Sequence, residues 1–209
     1  MEKEGKKRVE ILGIDDKRQI TAVFAATKDG IFLFIQVLYK GKTTRCLPKV
    51  KFPSDWLVSY TENHWANEQT TKEYIHKILL PYVNCKREEL GLPSNYPALV
   101  VYDRFKAQCT NNVLQILREN HIDTLLIPTS CTDRLQPLDV SVNKLAKEFL
   151  RKKFQLWYSE QVCSQLQEES GEVKPVDIHL NIVKPLGTKW LMEMYDHIKG
   201  TPQIIINGF

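Results

Sequence analysis

The stretch Pro97–Pro128, PALVVYDRFKAQCTNNVLQILRENHIDTLLIP, decides the fold. Ala98–Tyr102 is a short continuous apolar run ending on Asp103, the pattern of a strand buried on both faces. Thr110 is a good N-cap for a helix running to about Glu119. Ile122–Ile127 is a second apolar run, halted by Pro128. Strand, helix and strand in about thirty residues predict a βαβ unit with parallel strands.

Working outward, Val9–Ile14 is apolar and β-rich, and Gly13-Ile14-Asp15-Asp16 closes it with turn formers. Arg18–Thr27 then reads as a strand. Lys28-Asp29-Gly30 supplies a tight hairpin turn, because Asp-Gly tolerates the positive φ such turns need. Ile31–Tyr39 reads as the next strand of an antiparallel meander. Residues 42–66 read as irregular, with Pro48, Pro53 and the aromatics Phe52, Trp56 and Trp65. Asn67 or Thr70 caps a helix to about Leu80, which Pro81 is expected to stop. A long helix begins near Leu138 and runs to about Gln161. Gly171 and Pro175 mark a linker, and a last helix covers roughly Thr188–Lys199, ending at Gly200. A meander followed by βα units gives an α/β fold, a mixed sheet flanked by helices. The expected division is a basic tail over 1–8, a core over 9–165 and a C-terminal helical extension over 166–209.

Composition narrows the class. The chain has 209 residues, 43% of them hydrophobic and 26% charged, which indicates one globular domain and argues against disorder or a fibrous repeat. A net charge of +4 is compatible with nucleic acid without pointing to it. Cys46, Cys85, Cys109, Cys131 and Cys163 are odd in number and contain no C-x-x-C pair, so a disulfide framework or zinc knuckle is not expected. Reduced thiols suit an intracellular compartment. Met1–Glu10 has no apolar core of a signal peptide. The longest apolar runs are too short to span a bilayer, so no membrane partner is expected. Lys3, Lys6, Lys7 and Arg8 read as a solvated terminus, or as a nuclear-import or DNA-contacting arm.

Two acids sit where chemistry is usually placed. Asp103 ends a strand, and open α/β sheets bind ligands beyond the strand C-termini. Asp139 lies in the first turn of the long helix. At about 100° per residue, Leu138, Val142, Leu145 and Phe149 form an apolar stripe. Lys144, Lys147 and Arg151 form a basic stripe roughly opposite, and Asp139 lies at the seam with Asn143 and Ala146 nearest to it. Clustered carboxylates are what two-metal phosphodiester cleavage needs, because they hold the cations about 3.5–4 Å apart. Mg²⁺ takes few carboxylates, filling its shell with waters and phosphate oxygens. The alternatives are ordinary ones: a turn-capping Asp, an Asp favoured by the helix dipole, and a solvated basic helix face.

Leu99–Thr110, LVVYDRFKAQCT, resembles the second-aspartate motif of pogo/Tigger-like DDE transposases. Cys131–Lys144, CTDRLQPLDVSVNK, resembles their third-aspartate motif more closely, with Leu135-Gln136-Pro137-Leu138-Asp139 the specific part. The Lys17–Ala25 strand, Gly30, Trp65 and the terminal Ile206-Asn207-Gly208-Phe209 also look like family elements, so the resemblance covers nearly the whole chain from about Val9. It implies a ribonuclease-H-like fold, Asp103 and Asp139 as catalytic metal ligands, Mg²⁺ or Mn²⁺ as cofactor, DNA as partner and the nucleus as location.

The departures from the family pattern are specific. The family's first catalytic Asp lies on a strand further upstream of the Lys17–Ala25 segment than this chain reaches, and Asp15 and Asp16 align with a turn. Gln108 stands where the family often has His. The resulting expectation is a transposase-derived DNA-binding protein with an incomplete two-metal site. The alternatives are an active endonuclease, completed by another acid, and a protein–protein scaffold using the apolar stripe Trp190, Leu191, Met194 and Ile198.

Overall fold

A computed structural model describes residues 20–103, 105–128, 131–167 and 174–209. Asp15, Asp16, the basic tail, the Val9–Ile14 run and Gly171 lie outside these residues. The first sheet is β1 (Ile20–Val23), β2 (Gln36–Lys40) and β3 (Leu57–Thr61), in that order. β1 pairs antiparallel with β2, Ile20 opposite Tyr39, through the expected turn. Gly30 N–H donates to the Thr27 carbonyl at 3.0 Å with φ of 91°. A Cβ there would lie 2.8 Å from the Pro202 Cβ, so glycine is required twice over.

The strands are shorter than the apolar runs suggested. Residues 31–33 pair irregularly with 25–27, through the Ala26–Phe32 bridge and the bonds from Leu33 N–H to the Ala25 carbonyl and from Thr27 N–H to the Ile31 carbonyl, and regular pairing resumes at Gln36. β3 is an addition to the sequence reading. It lies parallel to β2, Gln36 opposite Leu57, within the stretch expected to be irregular. Leu57 N–H donates to the Ile35 carbonyl and Gly41 N–H to the Thr61 carbonyl, so both ends of β3 are fixed by its neighbour.

Helix α1 (Glu68–Tyr74) starts at Asn67, whose side chain accepts from Thr70 N–H while Thr70 Oγ1 accepts from Asn67 N–H. Both proposed cap residues are used, as a reciprocal capping box. Pro81 does not end the helix. A π-turn at Ile75–Leu79 carries the Leu80 N–H to the Ile75 carbonyl, and α2 (Leu80–Glu89) restarts with Pro81 in its first turn. A first-turn proline lacks only a donor that would have had no partner there.

The βαβ unit is as expected: β4 (Ala98–Tyr102), α3 (Asn111–Glu119) and β5 (Ile122–Leu126), with β4 and β5 parallel and Ala98 opposite Ile122. Thr110 Oγ1 accepts from Val113 N–H at the start of α3. The two strands are not buried on both faces, since Leu99 is 64% exposed and Leu125 54%. The reason is that only the face carrying Ala98, Val100, Tyr102 and Ile122 packs on a core cluster, while Leu99 and Leu125 stand on the opposite face. Arg87 on α2 ties this unit down. It is buried and donates to the carbonyls of Tyr96, Asn120 and His121 and to Asn84 Oδ1, at 2.9–3.2 Å.

A short helix α4 (Thr132–Leu135) precedes a second π-turn, Leu138–Val142, which leads into α5 (Asn143–Leu166). The buried stripe there is Val142 and Ala146, with Phe149 and Leu150 packed beside it, while Leu145 is 41% exposed. Leu145 was expected on the stripe, but the core side of α5 follows Val142 by four, seven and eight residues and leaves Leu145 at its margin. Helix α6 (Leu180–Lys199) begins earlier than expected and accommodates Pro185, and α7 (Pro202–Ile206) follows.

One core cluster joins Phe32, Ile35, Val37 and Tyr39 to Leu191, Met194, Tyr195 and Ile198. The stripe considered for a scaffold partner is therefore largely core. A second cluster packs Leu33, Ile75, Ile78 and Leu79 against Val113, Leu117 and Ile122. The chain thus has the α/β architecture expected of it.

Candidate functional site

A cleft of about 1040 Å³ is lined by residues 21–29 and 97–103 together with Tyr74, Leu79 and Tyr82. Asp103, Gln108, Gln136, Leu138, Asn143 and Phe209 also line it. β4 delivers Asp103 to this cleft because the parallel pairing with β5 ends there. Asp103 Oδ1 accepts from Phe105 N–H at 3.2 Å, which fixes the carboxylate over the turn that follows the strand. The adjacent Tyr102 phenol is pushed up to about 12, by burial first and then by the Cys109 thiol.

Asp139 is carried by the second π-turn, a geometry often found at functional sites. Asn143 Nδ2 donates to Asp139 Oδ1 at 2.5 Å, the i,i+4 neighbour anticipated from the helix wheel. Asn143 itself lines the cleft together with Asp103. Each carboxylate has one oxygen in a recorded hydrogen bond, and no recorded bond among the described residues reaches the other oxygen.

Two further residues, named in the sequence only as a departure from His and as part of the LQPLD motif, were given no site role there. The amide oxygens of Gln108 and Gln136 are buried and have no hydrogen-bond partner among the described residues. A buried acceptor without a donor is costly, roughly 1–3 kcal/mol, and such atoms call for an explanation such as a bound ion. Both glutamines line the cleft with Asp103. The donor atoms available are thus all oxygens, the set that hard cations such as Mg²⁺ and Mn²⁺ prefer. Among the described residues, no three His, Cys, Asp or Glu side chains come together as a metal group.

The C-terminus braces this region. Gly208 lies so close to the π-turn that an added Cβ would be 2.4 Å from the Pro137 carbonyl oxygen and 2.5 Å from Ser141 Oγ. At the basic stripe, Lys144, Lys147 and Arg151 are all exposed on α5, and none has a recorded ion pair among the described residues. Lys153, further along, instead pairs with Glu193. The tryptophans divide between roles: Trp56 is core, while Trp65 is 57% exposed and lines the cleft. Trp65 Nε1–H donates to His64 Nε2, and burial followed by the Lys40 charge lowers the His64 pKa.

The family description "DDE superfamily endonuclease" matches residues 17–199. The chain belongs to this family. A human protein named "Pogo transposable element with ZNF domain" is 20% identical over 212 residues, covering 96% of this chain and 13% of that protein. Mouse and human proteins named "Pogo transposable element with KRAB domain" are each 21% identical over 194 residues, covering 93% of this chain and 29% of theirs. The pogo-like DDE resemblance drawn from the two aspartate motifs therefore holds, at low identity, and the chain is transposase-derived. It spans well under a third of the length of these relatives. No solved structure matched it. Among the described residues, no helix is long and apolar enough to cross a membrane, and none of the five cysteines is in a disulfide.

Proposed function

We propose that this DDE-family chain is a nuclear DNA-binding protein whose Asp103 and Asp139 form part of a divalent metal site, and that the chain does not cleave DNA by itself. The observation that supports the reading is that Asp103, Gln108, Gln136 and Asn143 line one cleft, with Asn143 holding Asp139, which is not itself a lining residue. Asp103 and Asp139 each keep an oxygen for a cation, and Gln108 and Gln136 add neutral donors. Bound Mg²⁺ or Mn²⁺ would polarise a phosphate oxygen there. Asn143 orients Asp139, in the manner of outer residues that fix metal-ligating carboxylates. Lys144, Lys147 and Arg151 continue from Asp139 along the helix and supply charge for a phosphate backbone.

Among the described residues no third His, Cys, Asp or Glu side chain joins Asp103 and Asp139, and the reading of DNA binding without strand cleavage rests on that. The test is plasmid nicking by the purified chain with Mg²⁺ or Mn²⁺, run beside Mn²⁺ titration of the chain and of Asp103→Asn. The expected outcome is Mn²⁺ binding that weakens by at least tenfold in the variant, with no nicking by either protein. Nicking by the chain that disappears in Asp103→Asn would replace this reading with an active endonuclease. Equal Mn²⁺ binding by both proteins would remove the metal site.

A further inference from the structure

The excess positive charge of the chain is gathered in one segment. From the last residue of β2 into the loop before β3 stand Lys40, Lys42, Arg45, Lys49 and Lys51, and no acid occurs from Gly30 to Ser54. The net charge of the whole chain is +4, so without these five cations the chain would be slightly acidic. All five residues are exposed. Among the described residues only Lys42 of the five has a recorded ion pair, with Glu62 at 3.3 Å, and exposed pairs of that kind contribute little. Surfaces that serve only solubility intersperse both signs. The segment is also held in shape. Gly41 N–H donates to the Thr61 carbonyl at 2.9 Å, and a Cβ on Gly41 would lie 2.5 Å from Cys46 Sγ, so the loop closes tightly on itself. Thr44–Cys46 forms one 3₁₀ turn, and from α6 the Lys184 ammonium donates to the Cys46 carbonyl at 2.7 Å. Pro48 is buried, and Cys46, Leu47 and Phe52 pack against the first core cluster. Cations on a fixed frame lose less freedom on binding than cations on a flexible chain.

We propose that the Lys40–Lys51 segment is a phosphate-binding surface for duplex DNA, additional to the α5 stripe and outside the metal site. Clustered lysine and arginine neutralise backbone phosphates and release the counterions condensed on them, a sequence-independent source of affinity. The exposed hydroxyl residues Thr43 and Thr44 stand among the cations and supply phosphate hydrogen bonds of the kind that fix register on a duplex. A single strand is disfavoured, because its binding draws on exposed rings for stacking. The segment itself contains no aromatic residue. Of the rings flanking it, Tyr39 and Trp56 are 1% and 6% exposed, and Phe52 is set edge-on to Tyr39 at 6.3 Å. The inference rests on the DNA-binding half of the reading above and is independent of its metal half.

The test follows the anisotropy of a fluorescein-labelled DNA duplex across a salt series without metal. Three proteins are compared: the full chain, a loop variant with all five cations of the segment replaced by glutamine, and an α5 variant with Lys144, Lys147 and Arg151 replaced in the same way. Each lost phosphate contact lowers the logarithmic salt slope by about 0.9, so the loop variant should flatten it by about three to four and a half, more than the α5 variant, and bind at least about tenfold more weakly at physiological salt. A milder variant, Lys49→Gln with Lys51→Gln, guards against misfolding and should flatten the slope by up to about two. Lysine acetylation read by mass spectrometry needs no variant: the duplex should protect Lys49 and Lys51 while Lys77, in the helical layer, keeps its reactivity. Unchanged slopes in both loop variants, or equal acetylation of Lys49 and Lys51 with and without DNA, would overturn the proposal. If the α5 variant then lost binding, the DNA reading itself would stand. No binding of the full chain to the duplex would overturn both. Tighter binding of an RNA duplex at the same salt would overturn the assignment to DNA.

Discussion

Tyr39 and Thr188 offer a sharp test of how the sheet is held to the C-terminal helix. Their hydroxyls meet at 2.7 Å, both residues being 1% exposed. Thr188 Oγ1 also donates to the Lys184 carbonyl at 2.9 Å, which uses its only proton. Tyr39 is therefore the donor between the two. Tyr39→Phe removes that donor but leaves the Thr188 hydroxyl bonded to Lys184, so the cost is that of one hydrogen bond, about 0.5–1.5 kcal/mol. The ring remains, and with it the Lys184 ammonium placed 5.6 Å from its centroid. Thr188→Val removes the acceptor and strands the buried Tyr39 hydroxyl, costing about 1–3 kcal/mol. In the double variant no polar group is stranded, so the total should fall about 1 kcal/mol below the sum of the singles. Urea denaturation followed by circular dichroism, with unchanged slopes, measures all three. For a chain of this size the larger effect corresponds to a fall in Tm of roughly 2–12 °C. A Tyr39→Phe cost equal to or above that of Thr188→Val, or strict additivity, would refute the donor assignment.

Glu68 gives a pH prediction. Its carboxyl is held at about 2, chiefly by the Lys72 ammonium and then by the Asn112 amide, which links α1 to α3. A carboxyl depressed in the fold adds stability that is complete above its unfolded value, near 4.3, and is lost as pH falls toward 2. Thermal melts between pH 6 and 2 should show a smaller acid-dependent loss in Glu68→Gln than in the natural chain. For the basic stripe, replacing Lys144, Lys147 and Arg151 together with glutamine should weaken duplex DNA binding and flatten the logarithmic salt slope by up to about three. An unchanged slope would return these residues to the status of a solvated helix face.

The βαβ unit was legible because its signals are local. Two apolar runs, a threonine cap and a closing proline each act within a few residues. β3 was not legible for the opposite reason. Leu57–Thr61 is half-buried at every position and alternates weakly, and its strand form is imposed by the Ile35 and Thr61 bonds to its neighbour. Pro81 misled in a different way. The local rule against proline is correct, but one extra residue in the preceding turn moves it to a permitted position. At the candidate site the two aspartates could be picked out from the LQPLD motif and from a strand end. The buried, partnerless state of the Gln108 and Gln136 amide oxygens could not be read there, because it depends on how distant segments close over them.

Arg87 has a consequence for how DNA binding should be measured. Its guanidinium bridges α2 to the segments flanking both strands of the βαβ unit, yet its recorded partners are carbonyl oxygens and an amide rather than carboxylates. Dissolved ions reach a buried joint of this kind far less readily than an exposed charge pair. Raising the salt should therefore strip DNA bound at α5, as proposed above, long before it loosens the attachment of β4 to the helical layer. A salt series on this protein reads its surface without dismantling its frame.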